Sequence, residues 1–86
     1  MIERLTNERL LAQIGTMVSS YQIIRTRKKA GAFSDIDFYG VALGISASGK
    51  SATWQFHIED GAPNFYWGHY FMGDHERACS DFGNRA

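Results

Sequence analysis

The chain has almost no cysteine: Cys79 is the single one among 86 residues. One cysteine excludes an intramolecular disulfide and favours a reducing, cytoplasmic location. Long apolar runs are also missing, because the longest uncharged stretch, Leu10 to Ile24, is too short and too polar to span a bilayer. The N-terminus carries charges of both signs and lacks the apolar segment of a signal peptide. The sequence therefore predicts a soluble protein without a membrane partner.

No repeat, low-complexity segment or linker divides the chain, so we expect one domain over residues 1–86. The formal net charge is zero, but residues 1–34 hold six Lys and Arg against two Glu, whereas residues 35–86 hold three against seven Asp and Glu. This asymmetry bears on partners. The acidic part would suit a basic surface, the basic part would suit phosphate, and the two parts would also attract each other within one domain.

The segment Gly44–Ser51, GISASGKS, matches the phosphate-binding pattern G-x-x-x-x-G-K-[ST]. A nucleotide site of this kind requires a helix that begins at the Lys. Instead, Trp54, Phe56 and Ile58 alternate with polar residues, a period of two that indicates a strand. The roughly 35 remaining residues are also too few for a parallel sheet with its crossover helices. We therefore interpret GISASGKS as a hairpin turn and expect no enzymatic activity and no cofactor; nucleotide binding remains a second alternative.

Apolar periodicity predicts the fold. Thr6 is a candidate helix cap, and apolar residues spaced by three and four predict one amphipathic helix as far as Lys28 or Lys29. Three strands are predicted over Ile36–Ile45, Ala52–Glu59 and Phe65–Met72, and Asp74 is expected to cap a last helix. We predict a single α+β domain in the order α-β-β-β-α, in which a long N-terminal and a short C-terminal helix pack on a three-stranded antiparallel meander.

This order of elements resembles the double-stranded-RNA-binding domain. That family carries a Lys-rich signature at the start of its last helix, where it grips phosphates. The corresponding segment here, Asp74-His75-Glu76-Arg77, is mostly acidic. The departure argues against binding of duplex RNA, and an order of elements does not by itself define a function.

The one grouping of potential metal ligands consists of His69, His75 and Cys79, with His57 as a conceivable fourth. Their spacing matches no zinc-finger or zinc-ribbon pattern. Cys79 falls on the apolar stripe of the predicted last helix, where a buried cysteine is ordinary and a reactive one is not expected. We expect no metal site and no catalytic residue.

The aromatic residues outnumber what a core of this size must hold. We assign Trp54, Phe56, Phe65 and Phe82 to the core and expect Tyr66 and Tyr70 to be exposed. Aromatic residues with a charged rim are typical of protein interaction sites. The candidate partner-binding residues are Tyr39, Tyr66, Tyr70, Glu59 and Asp60.

The favoured hypothesis is a small, non-enzymatic protein-binding module that is a monomer or a weak homodimer. In size and charge the chain resembles proteins of phages and mobile elements that inhibit host defence complexes, as anti-CRISPR proteins do, but it shares no family motif with them. The alternative is nucleic-acid binding through Arg25, Arg27, Lys28 and Lys29, which would neutralise phosphates. Basic residues at a helix end also suit the helix dipole without any ligand.

Overall fold

The computed structural model describes residues 1–29 and 37–85, which form a small α+β domain with an antiparallel sheet and two helices. In chain order the elements are β1 (Ile2–Glu3), α1 (Asn7–Ala12), β2 (Met17–Val18), β3 (Tyr21–Lys28), β4 (Gly40–Ser46), β5 (Ser51–Glu59), β6 (Ala62–Tyr70) and α2 (His75–Asn84). The coarse fold class is confirmed, but the predicted order with three strands is wrong because the sheet has six. Neither helix has the length and apolar character needed to cross a membrane.

Strand β5 organises the sheet. It pairs with β4 along one edge from Ser51 to Phe56, and β1 continues that edge opposite Ile58 and Glu59. Its other edge pairs with β6. Strand β3 joins β4 on the far side, and β2 completes the sheet. All of these pairings are antiparallel.

The predicted long N-terminal helix is wrong beyond Ala12. The helix begins as expected, since the Oγ1 atom of Thr6 accepts a hydrogen bond from the Arg9 N–H at 3.2 Å. The chain then leaves the helix through Gly15, whose φ of +96° is readily adopted by glycine alone. Residues 17–28 form the β2–β3 hairpin, with Ser19 at a φ of +56° in its two-residue connection.

The apolar spacing in this region was misleading because a bulge disturbs strand alternation. Tyr21 and Ile23 are buried and Gln22 between them is exposed, as in a strand with one buried face. The register with β4 shifts between Ile23 and Arg25. The extra residue at this bulge gives Ile24 a spacing from the preceding apolar residues that resembles that of a helix. Six of the twelve residues from 16 to 27 are Val, Ile, Thr or Tyr, a composition that favours strands.

The C-terminal half follows the predicted order of strand, turn, strand and helix, but the predicted bounds of the third strand, Phe65–Met72, are wrong. Strand β5 agrees with the predicted second strand to within one residue, whereas β6 begins at Ala62 and ends at Tyr70. Asp60 and Gly61, both at positive φ, form the two-residue turn between them. The Asp74 carboxylate caps α2 by accepting the Arg77 N–H at 3.1 Å. Ile36, the first residue of the predicted first strand, lies outside the described residues.

One face of the sheet carries the main core. Trp54 and Phe56 are buried there, together with Leu5, Leu10, Tyr21, Ile23, Ala42, Ala52 and Ile58. Two glycines make room for the large rings. A Cβ on Gly40 would lie 2.6 Å from Cε1 of Phe56, and one on Gly44 would lie 2.8 Å from Cζ3 of Trp54. The aromatic rings therefore cover the glycines of the neighbouring strand.

The opposite face packs against α2, and we call it the helix face. Ala78 and Phe82 of α2 are buried there on Val41 and Leu43 of β4. Three of the four predicted core aromatics, Trp54, Phe56 and Phe82, are buried, and Phe65 is half-buried.

Candidate functional site

The P-loop-like segment is a turn between two strands. Strand β4 ends at Ser46, β5 begins at Ser51, and the Ser46 N–H donates to the Lys50 carbonyl at 2.8 Å. Gly49 adopts a φ of +83° inside the turn. This agrees with the interpretation as a hairpin, and the segment lacks the helix N-terminus that a phosphate-cradling loop requires.

The histidines and the cysteine considered as metal ligands have other neighbours. Nδ1 of His69 lies 2.9 Å from Oδ2 of Asp81, and Nδ1 of His75 lies 2.7 Å from Oγ of Ser51. Cys79 is half-buried against the α2 core. Among residues 1–29 and 37–85, no three His, Cys, Asp or Glu side chains are grouped as metal ligands.

The helix face continues past the end of α2 along β5. The Thr53 hydroxyl donates to Oδ2 of Asp81 at 2.6 Å, which fixes Thr53 on this face. Gln55 and His57 follow in steps of two residues and therefore project on the same side. Gln55 is buried and His57 half-buried, because side chains from β6 and from the region of Tyr39 lie over them.

Four rings cross this part of the helix face and form what we call the aromatic row: Tyr39, His57, Tyr66 and Trp67. Successive ring centroids lie 6.1, 5.4 and 5.1 Å apart. The Tyr66 hydroxyl accepts a hydrogen bond from Nε2 of Gln55 at 3.3 Å and lies 3.1 Å from Nδ1 of His57. Burial raises the pKa of Tyr66, the hydrogen bond from Gln55 acts in the opposite direction, and the nearby Tyr39 hydroxyl raises the pKa further.

A bulge in β6 places Trp67 in this row. Tyr66 pairs with Gln55 and His69 with Thr53, so both Trp67 and Gly68 lie opposite the single residue Trp54. Trp67 has a φ of +54°, a conformation that bulky residues rarely adopt. Its side chain is nevertheless 68% exposed.

The sequence analysis did not include Trp67 among the candidate site residues, and a regular strand would place Trp67 on the same face as Phe65. In the structure Phe65 stacks on Phe56 on the core face, at 5.2 Å between ring centroids. The signal that would have indicated the bulge is Gly68, since an isolated glycine inside a strand pattern often marks one. A Cβ at Gly68 would lie 2.9 Å from Nε1 of Trp54, so this position has little room for a side chain.

An open pocket lies beside Trp67, with a volume of about 310 Å³. We call it the cationic pocket, and it is lined by Lys29, Gln55, Trp67, His69 and Arg85. Nε of Arg85 lies 3.6 Å from Oδ2 of Asp81, and Nη2 donates to the Trp67 carbonyl. Nη1 is buried, and no acceptor for it is present among the described residues. Burial lowers the pKa of Arg85, and the charge of Asp81 acts in the opposite direction.

The candidate partner-binding residues fall into separate places. Tyr39 and Tyr66 belong to the aromatic row, and Glu59 borders it through a contact of 3.3 Å with Nε2 of His57. Asp60 lies in the β5–β6 turn, 3.1 Å from the N-terminal amine. Tyr70 lies on the core face and is 54% exposed. The structure therefore brings Tyr39, Tyr66 and Glu59 together and separates Tyr70 from them.

The basic run lies on strand β3, so its predicted position at a helix end is wrong. Arg27 donates from Nε to the Phe82 carbonyl at 2.8 Å and from Nη2 to the Arg85 carbonyl at 2.6 Å. It therefore satisfies carbonyls at the C-terminus of α2, and burial lowers its pKa.

The other cations of the run are dispersed. Nζ of Lys28 pairs with Asp37 at 3.3 Å, and the Arg25 guanidinium lies 5.4 Å from the Phe82 ring centroid. Lys29 lines the cationic pocket. Only Lys29 of this group therefore lies at the candidate site defined by the aromatic row and the pocket.

Comparison of the chain with protein-family models, curated proteins and solved structures finds no significant match.

Proposed function

We propose that this chain is a non-enzymatic protein-binding module whose partner contacts the aromatic row and the cationic pocket. The observation that supports this most directly is the position of Trp67. A tryptophan side chain that is 68% exposed, on a backbone at positive φ, contributes little to folding. Strained residues of this kind persist where the surrounding structure holds them, and they cluster at binding sites.

The composition of the surface favours a protein partner. Tryptophan, tyrosine and arginine are the residues most enriched at interaction hot spots, and Trp67, Tyr66 and Arg85 lie within one small area. Lys29 and Glu59 border this area with charges of opposite sign, as expected for the polar rim of an interface. Most of these side chains are held by internal contacts, which lowers the entropic cost of binding.

Within this class we propose an inhibitor, in keeping with the resemblance in size and charge to phage and mobile-element proteins that inhibit host defence complexes. Such a protein needs no chemistry of its own. It acts by occupying a surface that the host complex requires, and an exposed aromatic anchor with a mixed-charge rim is suited to that role.

One observation favours a second candidate, the binding of single-stranded nucleic acid. Lys29 and Arg85 flank the exposed ring of Trp67 in the same pocket. Cations beside an exposed aromatic ring are the elements with which proteins hold a phosphate backbone and stack a base.

The test is affinity capture from bacterial lysate with the tagged chain, with and without nuclease, followed by mass spectrometry of the eluates. The compared variants are Trp67→Ala and Leu11→Ala; Leu11 is 66% exposed, against 68% for Trp67, and lies on α1. A protein that is captured despite nuclease by the wild type and by Leu11→Ala, but not by Trp67→Ala, supports the proposal. Capture that disappears with nuclease supports the second candidate. Equal capture by all three proteins contradicts both.

A further inference from the structure

We infer that the cationic pocket is a carboxylate subsite, which receives an Asp or Glu side chain of the partner while Trp67 covers the adjoining residue of that partner. The inference rests on the proposed function and adds the chemistry of what the surface recognises. Two cationic side chains, Lys29 and Arg85, line the pocket from different parts of the fold. An acidic side chain is the protein group that such a pair binds best.

The Arg85 guanidinium is held in place before any ligand binds. Its Nε group faces Asp81, and Nη2 is bound to the Trp67 carbonyl, so the orientation of the plane is fixed by two contacts. A side chain that is fixed in advance lowers the entropic cost of binding. Arg85 therefore presents its positive charge to the pocket in one orientation.

The charge around the pocket is positive and suits an anionic group. Lys29 and Arg85 contribute two positive charges, and Asp81 beside Arg85 offsets one of them. The carbonyls of Phe82 and Arg85 at the C-terminal end of α2 are bound by the Arg27 guanidinium, so their partial negative charge is offset as well. In a protein partner the anionic group is the carboxylate of Asp or Glu, and the phosphate and oligo-dT arms of the test distinguish it from a phosphate.

The walls of the pocket suit a short acidic side chain. Gln55 lines the pocket and is buried, and its Nε2 group donates to the Tyr66 hydroxyl. The Trp67 indole forms an apolar wall. The volume of about 310 Å³ is at the lower end of ligand pockets and is sufficient for one side chain.

The test uses small probes and needs no partner. N-acetyl-glutamate α-amide, N-acetyl-glutamine α-amide, inorganic phosphate and a short oligo-dT are titrated into the 15N-labelled chain at low salt. The signals followed by NMR are the Trp67 indole N–H and the Arg85 Nε–H. The variants are Lys29→Gln and Arg85→Gln, and Lys50→Gln removes a lysine from the exposed β4–β5 turn as the matched control. Lys29 is half-buried and does not belong to the buried core, so its variant remains informative if Arg85→Gln fails to fold.

We expect the glutamate compound to shift both signals saturably. Its affinity should be at least fivefold higher than that of the glutamine compound, and at least fivefold higher for the wild type than for Lys29→Gln. The affinity of Lys50→Gln for the glutamate compound should equal that of the wild type. Three results would overturn the inference: equal shifts from both amides, tighter binding of phosphate or oligo-dT, or no shift at 50 mM of the glutamate compound. The NMR titration uses no partner protein. Binding of the glutamate compound together with an empty affinity capture would therefore refute the proposed function and leave the subsite standing. Trp67-dependent capture without any effect of the glutamate compound refutes the subsite alone.

Discussion

The ring of Trp67 lies 5.1 Å from the ring of Tyr66 at an interplanar angle of 89°, although the two residues are consecutive in strand β6. Consecutive residues of a regular strand project on opposite faces of the sheet. Here the bulge opposite Trp54 turns Trp67 back toward the helix face, where it meets Tyr66, Arg85 and the pocket. The candidate site therefore depends on one irregularity in an otherwise regular hairpin.

Replacement of Trp67 by glycine should separate stability from binding. Glycine adopts the positive φ of this position without strain, and the relief of that strain stabilises the fold by about 1 kcal/mol. Loss of the contact between the rings of Trp67 and Tyr66 destabilises it by about 0.5–1.5 kcal/mol. We expect Trp67→Gly to unfold in urea within about 1 kcal/mol of the wild type and to be more stable than Trp67→Ala. Both variants should lose partner binding. A Trp67→Gly variant destabilised by several kcal/mol would show instead that the indole is part of the structural core.

The pH dependence of stability should report on Asp81. Desolvation acts to raise its pKa, but hydrogen bonds from Thr53 and His69 and the charges of His69 and Arg85 outweigh it, and the pKa of Asp81 is lowered. A carboxyl group with a lowered pKa in the folded state stabilises the fold above its unfolded pKa of about 3.9, and this contribution is lost as the pH falls through the folded value.

We therefore expect the free energy of unfolding of the wild type to fall between pH 5 and pH 2 more steeply than that of Asp81→Asn, as measured by urea denaturation. Asp74→Asn is the matched control, because it changes an exposed helix-capping carboxylate on the same helix and leaves this cluster intact. Parallel pH profiles for the wild type and Asp81→Asn would contradict the assigned interactions.

The titration of Tyr66 should be displaced upward. Burial and the neighbouring Tyr39 raise its pKa above 10.0, against the opposing hydrogen bond from Gln55. A group with a raised pKa stabilises the fold below its unfolded pKa, and that contribution is lost as the pH rises through the folded value. In absorbance titrations at 295 nm, we expect the wild type to show a tyrosine transition displaced above pH 10.0 that is missing in Tyr66→Phe. Stability above about pH 10 should also fall less steeply in Tyr66→Phe than in the wild type.

Local sequence signals predicted the parts of this fold that local interactions determine. The Thr6 and Asp74 caps, the turn before Ser51 and the alternation of β5 all follow from residues close in sequence. The error at residues 17–28 arose because an apolar spacing interrupted by a bulge imitates a helix. Whether Ile24 belongs to a helix or to a bulged strand depends on β4 as a partner, and that pairing is a long-range contact.

The candidate site was only partly predictable for the same reason. Tyr66 and Tyr39 were identified from composition, but their proximity across the sheet depends on the positions of both relative to His57. Arg85 was not among the candidate residues, because nothing in the sequence distinguishes it from other basic residues. Its role follows from contacts with Asp81 and Trp67 that only the tertiary structure shows.

The packing of glycine against aromatic rings gives a prediction on stability. A methyl group at Gly40 would lie 2.6 Å from Phe56 and 3.0 Å from Leu5, both buried. We expect Gly40→Ala to lower the free energy of unfolding by about 1–3 kcal/mol, as is typical of overpacked cores. Gly83→Ala is the control, because nothing lies within 4 Å of the added Cβ. Residue 83 is helical, so the free energy of unfolding of this variant should rise by up to about 1 kcal/mol. Equal stability of the two variants would contradict the described packing.

Arg27 allows the structural role of the basic run to be separated from a role in nucleic-acid binding. Its guanidinium bonds the carbonyls of Phe82 and Arg85, an arrangement that the single ammonium group of lysine does not reproduce. We expect Arg27→Lys, which preserves the charge, to lower the free energy of unfolding by about 1–3 kcal/mol.

Arg25→Lys is the matched control for this prediction. The Arg25 guanidinium lies over the Phe82 ring, where an ammonium group also interacts favourably, so the change should be within about 0.5 kcal/mol. Urea denaturation and oligonucleotide binding at two salt concentrations are measured on both variants. If Arg27→Lys kept full stability and weakened a salt-dependent binding of oligo-dT, Arg27 would be a phosphate contact and not a cap of α2. That result would favour nucleic-acid binding over protein binding.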